Sequence, residues 1–348
     1  MKKLAVYGLA CGLILTALAG CTKIGPPVAG SAKAEQMLTL LPKDTSGVII
    51  IDIHRAMNLD IVVKALKENA RAEMLQKFIQ KSGIDPQKDV FFLAIGIRGS
   101  GEARSGVGIV NLKYAKDALL AKLKDNEAKF GETVYEGVPT ISVEEEDGGK
   151  PMLGAFLDAS NIAIGPEADV KAVIDGMKKG ESAVANAELM AQIKGATKTA
   201  LAWGVFAFKP EEIKKMIESA PMLGSLASLK GVLLGFDYKN KILDAEFKII
   251  TADAGKNKEI ADMLNGFRAM GSLAAGEKPE IGELMNKIEI TSGADNVRIH
   301  AALPEQLLDK LGKMAETEIM NKLGGAKIEE PAKNEEKKED KKAEEIKK

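Results

Sequence analysis

Gly47-Val48-Ile49-Ile50-Ile51-Asp52-Ile53-His54 is a run dominated by β-branched residues, with Asp44, Thr45 and Ser46 before it. Such a run reads as a buried strand. Downstream, Ile61, Ala65, Leu66, Leu75, Phe78 and Ile79 recur at helical spacing, which predicts a helix over Asp60–Lys81. Ser82-Gly83 stops it. Val90–Ile97 and Gly106–Leu112 read as two strands joined through the Gly-rich loop Arg98–Ser105, and Ala115–Leu123 as a helix. Thr133–Val143 carries two short strands around the turn signal Glu136-Gly137.

The same order returns further along. Ala200–Phe208 is a strand, and Pro210–Leu229 is helical, with Pro210 suited to its first turn and Pro221 kinking or dividing it. Val232–Tyr238 and Ile242–Ile250 form a hairpin through Lys239-Asn240. Asn257–Ala275 is a helix with the stripe Ile260, Met263, Leu264, Phe267, Met270 and Ala274. Lys287–Thr291 and Asn296–Ala302 close with a hairpin through Gly293. Each half therefore reads β-α-β-β-α-β-β. The first half has an addition: a hairpin of Met152–Leu157 with Asn161–Ile164, then helices at Asp169–Met177 and Ala187–Ile193. A last helix, Pro304–Leu323, follows the second half.

Hairpins with interspersed helices predict an α+β fold of two related halves. The expected sheets are mostly antiparallel, with helices packed on one face in a ferredoxin-like style. The two sheets stand side by side or join into one. The expected boundaries are a leader at 1–20, a tether at 21–42, α+β halves at 43–195 and 196–323, and a charged tail at 324–348. A length of 348 residues suits two domains.

The ends of the chain speak to its compartment. Lys2 and Lys3 precede a nearly unbroken apolar run from Leu4 to Leu18. That run is short for a membrane span, which takes about 20 residues, and right for a signal peptide. It ends in Leu18-Ala19-Gly20-Cys21, which resembles the lipobox of bacterial lipoproteins. The resemblance implies cleavage between Gly20 and Cys21 and attachment of diacylglycerol and palmitate to Cys21. Thr22, where Asp would signal inner-membrane retention, implies the periplasmic side of the outer membrane in a Gram-negative cell. In a Gram-positive cell the anchor implies the outer face of the plasma membrane. Cys11 leaves with the leader, so the mature chain has no disulfide. Loss of Lys2 and Lys3 takes the net charge from −1 to −3. Thr22–Gln36, with Gly25, Pro26, Pro27 and Gly30, reads as a flexible tether reaching about 20 Å. From Glu329 to Lys348 the chain is almost wholly charged, too polar to bury a core. The opening Leu41-Pro42-Lys43-Asp44-Thr45-Ser46-Gly47, strand, Asp52, helix is similar to secreted bacterial proteins of unknown function built from tandem α+β repeats. That likeness supplies no catalytic residue.

Chemistry is sparse. A balance of 49 basic to 50 acidic residues leaves no nucleic-acid footprint, and two Cys exclude a four-Cys zinc site. The two His allow one constellation: Asp52 and His54 alternating on a strand, joined by His300, as an acid–base or metal site. The bland alternative is two partly exposed His at strand ends. No zinc-protease motif or nucleophile elbow is present. Gly96–Gly101 is Gly-rich but joins two strands, whereas a phosphate cradle needs a strand-to-helix turn. Glu144–Gly149 is an acidic turn whose carboxylates alternate in direction and do not converge on calcium. No cofactor or metal is expected. Methionine is the oddity, with 14 in the chain, and Met263, Phe267 and Met270 suggest an apolar groove beside a helix.

These readings point to a non-enzymatic, lipid-anchored cell-envelope lipoprotein that binds a protein partner or an apolar ligand. One alternative is a periplasmic carrier of a lipid or acyl chain in a Met-rich groove. Another is a hydrolase using His54 or His300.

Overall fold

A computed structural model describes residues 30–323, apart from 68, 100, 102–103, 126–129, 144–151 and 252. The leader, Gly20, Cys21, the acidic turn and the charged tail lie outside the described residues. After a first helix, α1 (Gly30–Leu38), come β1 (Thr45–Asp52) and three helices, α2 (Ile53–Met57), α3 (Asp60–Leu66) and α4 (Asn69–Ser82). The hairpin β2 (Val90–Arg98) and β3 (Ser105–Leu112) leads to α5 (Lys116–Asp125). Next are the hairpins β4 (Phe130–Tyr135)/β5 (Val138–Val143) and β6 (Met152–Phe156)/β7 (Asn161–Pro166), then α6 (Glu167–Lys179) and α7 (Ala187–Ile193). The second half runs through β8 (Ala202–Ala207), α8 (Pro210–Ser219), the 3-10 segment Pro221–Ser228, β9 (Leu229–Lys239) and β10 (Ile242–Thr251). It ends with α9 (Ala254–Ala274), α10 (Pro279–Lys287), β11 (Ile288–Ser292), β12 (Asn296–Pro304) and α11 (Glu305–Leu323).

The fold is α+β, and both halves share one 12-stranded sheet in the order β11-β12-β10-β9-β8-β1-β2-β3-β7-β6-β5-β4. Every neighbouring pair is antiparallel. The halves meet at the β1–β8 pair, where Ile50 lies opposite Trp203. From that seam β1-β2-β3-β7-β6 runs one way and β8-β9-β10-β12-β11 the other. This order corrects the expected correspondence. The partner of β11/β12 is β6/β7, since each hairpin docks on the third strand of its half. The first half's addition among the strands is therefore β4/β5, which extends the sheet to its outer edge.

Three further expectations change. Helices cover both sides of the sheet rather than one, because the strands carry apolar residues on both sides. The single helix over Asp60–Lys81 is two, α3 and α4. Residues 30–42 are not a free tether, because α1 begins at Gly30 and Ala34, Met37, Leu38 and Leu41 are buried in the core. Their spacing is that of an amphipathic helix.

The sheet's two sides are unlike. The front, with Val48 and Ile50 of β1, holds the main core. There α1, α6 and α7 press Leu38, Ile174 and Leu189 onto Ala94, Ile109, Ala163, Trp203 and Val205. A second device pins α6. Arg98 bonds Asp44 (2.8 and 2.7 Å) and the buried Asp169 (2.6 Å), which also accepts from the Ser105 hydroxyl. On the back, α5 covers Phe156 and Ile162, while α9 covers Ile249 and Val297. α2 and α11 close the lower edge around Tyr238 and Leu243.

Candidate functional site

Between the α5 and α9 clusters, one row on the back of the sheet stays half-exposed. Antiparallel partners share a side of the sheet, so the register defines what lies there. One row crosses eight strands: Ile164, Gly108, Ile95, Ile49, Gly204, Leu234, Phe247 and Ile299. The row below it reads Ile162, Val110, Leu93, Ile51, Ala202, Phe236, Ala245 and Ala301. Neither row contains a charged or polar side chain. Ile164 is 45% exposed and Phe247 38%, and Ile95, Ile49 and Leu234 between them are half-buried.

Glycines shape this surface into a trough. A Cβ on Gly204 would stand 3.0 Å from the Val48 carbonyl oxygen, 3.2 Å from Leu234 and 3.3 Å from Ile49, so these two side chains lean in over the glycine. Gly108 gives a second low point, between Ile95 and Ile164. Six inter-strand spacings from β7 to β10 make the trough about 29 Å wide. The open part is this upper row, because in the row below it Ile162 (7%) and Ile51 (8%) are buried.

The sequence-derived groove residues border this region without lining its floor. On α9, Ile260, Ala261 and Leu264 face the sheet. Arg268 turns toward the edge strand and donates to the Ile288 carbonyl (3.1 Å). Met263 is on the opposite flank, near the Ser225 hydroxyl of the 3-10 segment that enters β9. Helical geometry puts Phe267 and Met270 on the Met263 flank, toward the middle of the sheet. Phe267 is 43% exposed and Met270 57%. They form a soft wall rather than a closed groove. The floor escaped the sequence reading, although its glycines were a signal: Gly inside a strand marks a bulge or a close approach.

The second candidate, the histidine cluster, does not assemble. β1 ends at Asp52, whose carboxylate caps α2 by accepting from the Arg55 amide (2.9 Å). Burial pushes the Asp52 carboxyl up, against the bond from Arg55. His54 lies in α2 beside the Phe91 ring. His300 sits on β12 with its Nε2 2.9 Å from Asp244. Four strand spacings, about 19 Å, separate β1 from β12. Among the described residues, no group of three or more His, Cys, Asp or Glu side chains is arranged for a metal ion.

A cavity of about 430 Å³ does open on the front of the second half, lined by Thr197, Gly235, Asp237, Asp244 and Glu246. Its carboxylates are all engaged. Asp237 takes Arg55 (2.9 Å), Asp244 takes His300, and Glu246 takes Arg298 and Lys248. Burial pushes the Glu246 carboxyl up, but bonds from Arg298 and Lys248 outweigh it and hold it below its ordinary range. This ladder of pairs solvates a sheet surface that no helix covers among the described residues.

No protein-family model and no curated protein matches the chain. Among solved structures it is similar to crystal form I of TP0453, with 8% identity and a TM-score of 0.45 over 79% of this chain and 96% of that one. Crystal form III of TP0453 gives 9% identity and a TM-score of 0.46, over 79% of this chain and 97% of that one. Among the described residues, no helix is long and apolar enough to cross a membrane.

Proposed function

We propose that this chain is a non-enzymatic, lipid-anchored protein of the cell envelope, and that it binds an apolar ligand in the trough on the back of its sheet. The observation behind the reading is the row from Ile164 to Phe247: apolar across seven strands, floored by glycine and left half-exposed. Water against such a surface costs about 25 cal/mol per Å² of apolar area. An acyl chain laid across the strands would displace it without needing polar partners. A folded protein partner fits less well, since a stable interface takes about 800 Å² on each side, more than one row of half-exposed side chains presents. Met263, Phe267 and Met270 would close over such a chain, because methionine adapts to varied apolar shapes.

The anchor is part of the same proposal. Cys21 would carry diacylglycerol and palmitate, with Thr22 directing the protein to the outer membrane of a Gram-negative cell or leaving it on the plasma membrane of a Gram-positive one. Between Cys21 and α1 lie eight residues, and burial of α1 in the front core would keep the body close to the bilayer. A carrier that passes lipid between membranes is the alternative use of the same trough. A hydrolase on His54 or His300 has less behind it, since the two are strands apart and His300 is paired to Asp244.

Extraction of a Cys21→Ser chain purified without detergent tests the ligand. Acyl lipid recovered in stoichiometric yield supports the proposal, and reproducibly empty protein overturns it. In cells, palmitate label is expected on the parent and absent from Cys21→Ser. Label persisting in the variant removes the anchor.

A further inference from the structure

The two edges of the sheet are finished differently. At one edge, β11 is five residues long, α9 and α10 pack beside it, and Arg268 reaches its first carbonyl. At the other, β4 (Phe-Gly-Glu-Thr-Val-Tyr) has four exposed residues in six, with Val134 at 69% exposure. Its one charge is Glu132, and it has no lysine, proline or bulge to guard against edge-to-edge pairing. We propose that β4 is an assembly edge, on which a second copy of the chain adds its own β4 antiparallel, centred on Thr133.

The register follows from the hairpin. Glu136 and Gly137 both have positive φ, 50° and 81°, as a two-residue type I′ turn requires. Its closing pair, Tyr135 and Val138, points its backbone groups inward. Alternation then aims the Thr133 and Gly131 amides and carbonyls at β5, and those of Glu132 and Val134 outward. With the two-fold at Thr133, each Glu132 exchanges both backbone bonds with the partner's Val134, four bonds in all. The same register puts Tyr135 opposite the partner's Gly131, with the Tyr135 hydroxyl held by its own Asp175 (3.1 Å). A centre at Glu132 would oppose Glu132 to its own copy, and a centre at Val134 would oppose Glu132 to the partner's Glu136. Like charges directly opposite disfavour both. In the Thr133 register Glu132 faces a valine and keeps its own Lys124 at 2.8 Å.

Disulfide trapping reads the register directly. Across the two-fold the Thr133 positions form a pair without backbone bonds, about 4.5 Å between Cα atoms, within disulfide reach. Glu132 and Val134 lie about 8–9 Å from their own copies, beyond it. The full chain is expressed in cells as the parent and as Thr133→Cys, Glu132→Cys and Val134→Cys, with Cys11 and Cys21 retained in all. Membranes are oxidised and run on non-reducing gels, with amounts matched by immunoblot. The expected result is a dimer band specific to Thr133→Cys, about fivefold or more above the other two. No such band, equal bands at all three positions, or a maximum at Val134 overturns the proposal. Adding Val134→Pro to Thr133→Cys deletes an outward amide that β5 does not use, so the melting temperature is expected to hold while the band disappears. A band that survives with proline present also overturns it.

Discussion

Ile49 and Ile50 are neighbours in one strand and chemically identical, yet they live in different solvents. Ile50 is 2% exposed beneath the front helices, while Ile49 stands half-open on the back between Ile95 and Gly204. Over the central strands the front is a packed interior. On the back, the row through Ile49 lies between the α5 and α9 clusters, apolar and half-exposed. The fold and the proposed site thus use the two sides of the same central strands.

Introducing a carboxylate at each of the pair gives the largest expected difference. Ile50→Glu buries an unpaired carboxylate in the core and is expected to cost more than about 4 kcal/mol, leaving the chain unfolded. Ile49→Glu is expected to stay within about 1 kcal/mol of the parent in urea denaturation while losing acyl-ligand retention. Equal destabilisation by both would show that the back is covered, and the contrast would fail.

A smaller contrast sets the buried ion network against the exposed ladder. Arg98→Ala strands the Asp169 carboxylate, 3% exposed, and is expected to cost about 3–5 kcal/mol. Arg298→Ala removes a partly exposed pair with Glu246 and is expected to cost about 1 kcal/mol or less. Thermal melts of the two variants rank them. The smallest effect is a pH dependence. The Arg98 guanidinium holds the Asp44 carboxyl below its ordinary value. A carboxyl lowered in the folded state stabilises above its unfolded pKa, about 3.9, and that contribution is lost as pH falls through the folded value. An acid titration of stability is therefore expected to be shallower below pH of about 4 in Asp44→Asn than in the parent.

Much of the fold was legible in particular residues. The hairpins appeared through Glu136-Gly137, Gly293 and the strand pairs around them, and the repeat appeared through element order. Misplacing the added hairpin had a physical cause: order along the chain does not say which hairpin docks on the third strand, and β6/β7 does so only through its pairing with β3. α1 was hidden because Pro26, Pro27 and Gly30 signalled a tether just before the period Ala34, Met37, Leu38 and Leu41 began. The trough was hidden for a subtler reason. A continuous β-branched run such as Val48–Ile51 is the mark of a strand buried on both sides, whereas an antiparallel strand with one open side alternates. Here the run is apolar on both sides and only one is covered. That mismatch between pattern and cover is what singles out the site, and it exists only once the sheet is assembled.

The most direct measurement is photolabelling of the Cys21→Ser chain with a diazirine-bearing fatty acid, followed by peptide mapping. Adducts are expected on the strand peptides holding Ile49, Ile95, Leu234 and Phe247, with Ile49→Glu reducing them at least about fivefold. Adducts confined to the exposed α9 flank at Met270 and Leu273, or none above an unfolded control, would contradict an open trough as the binding site.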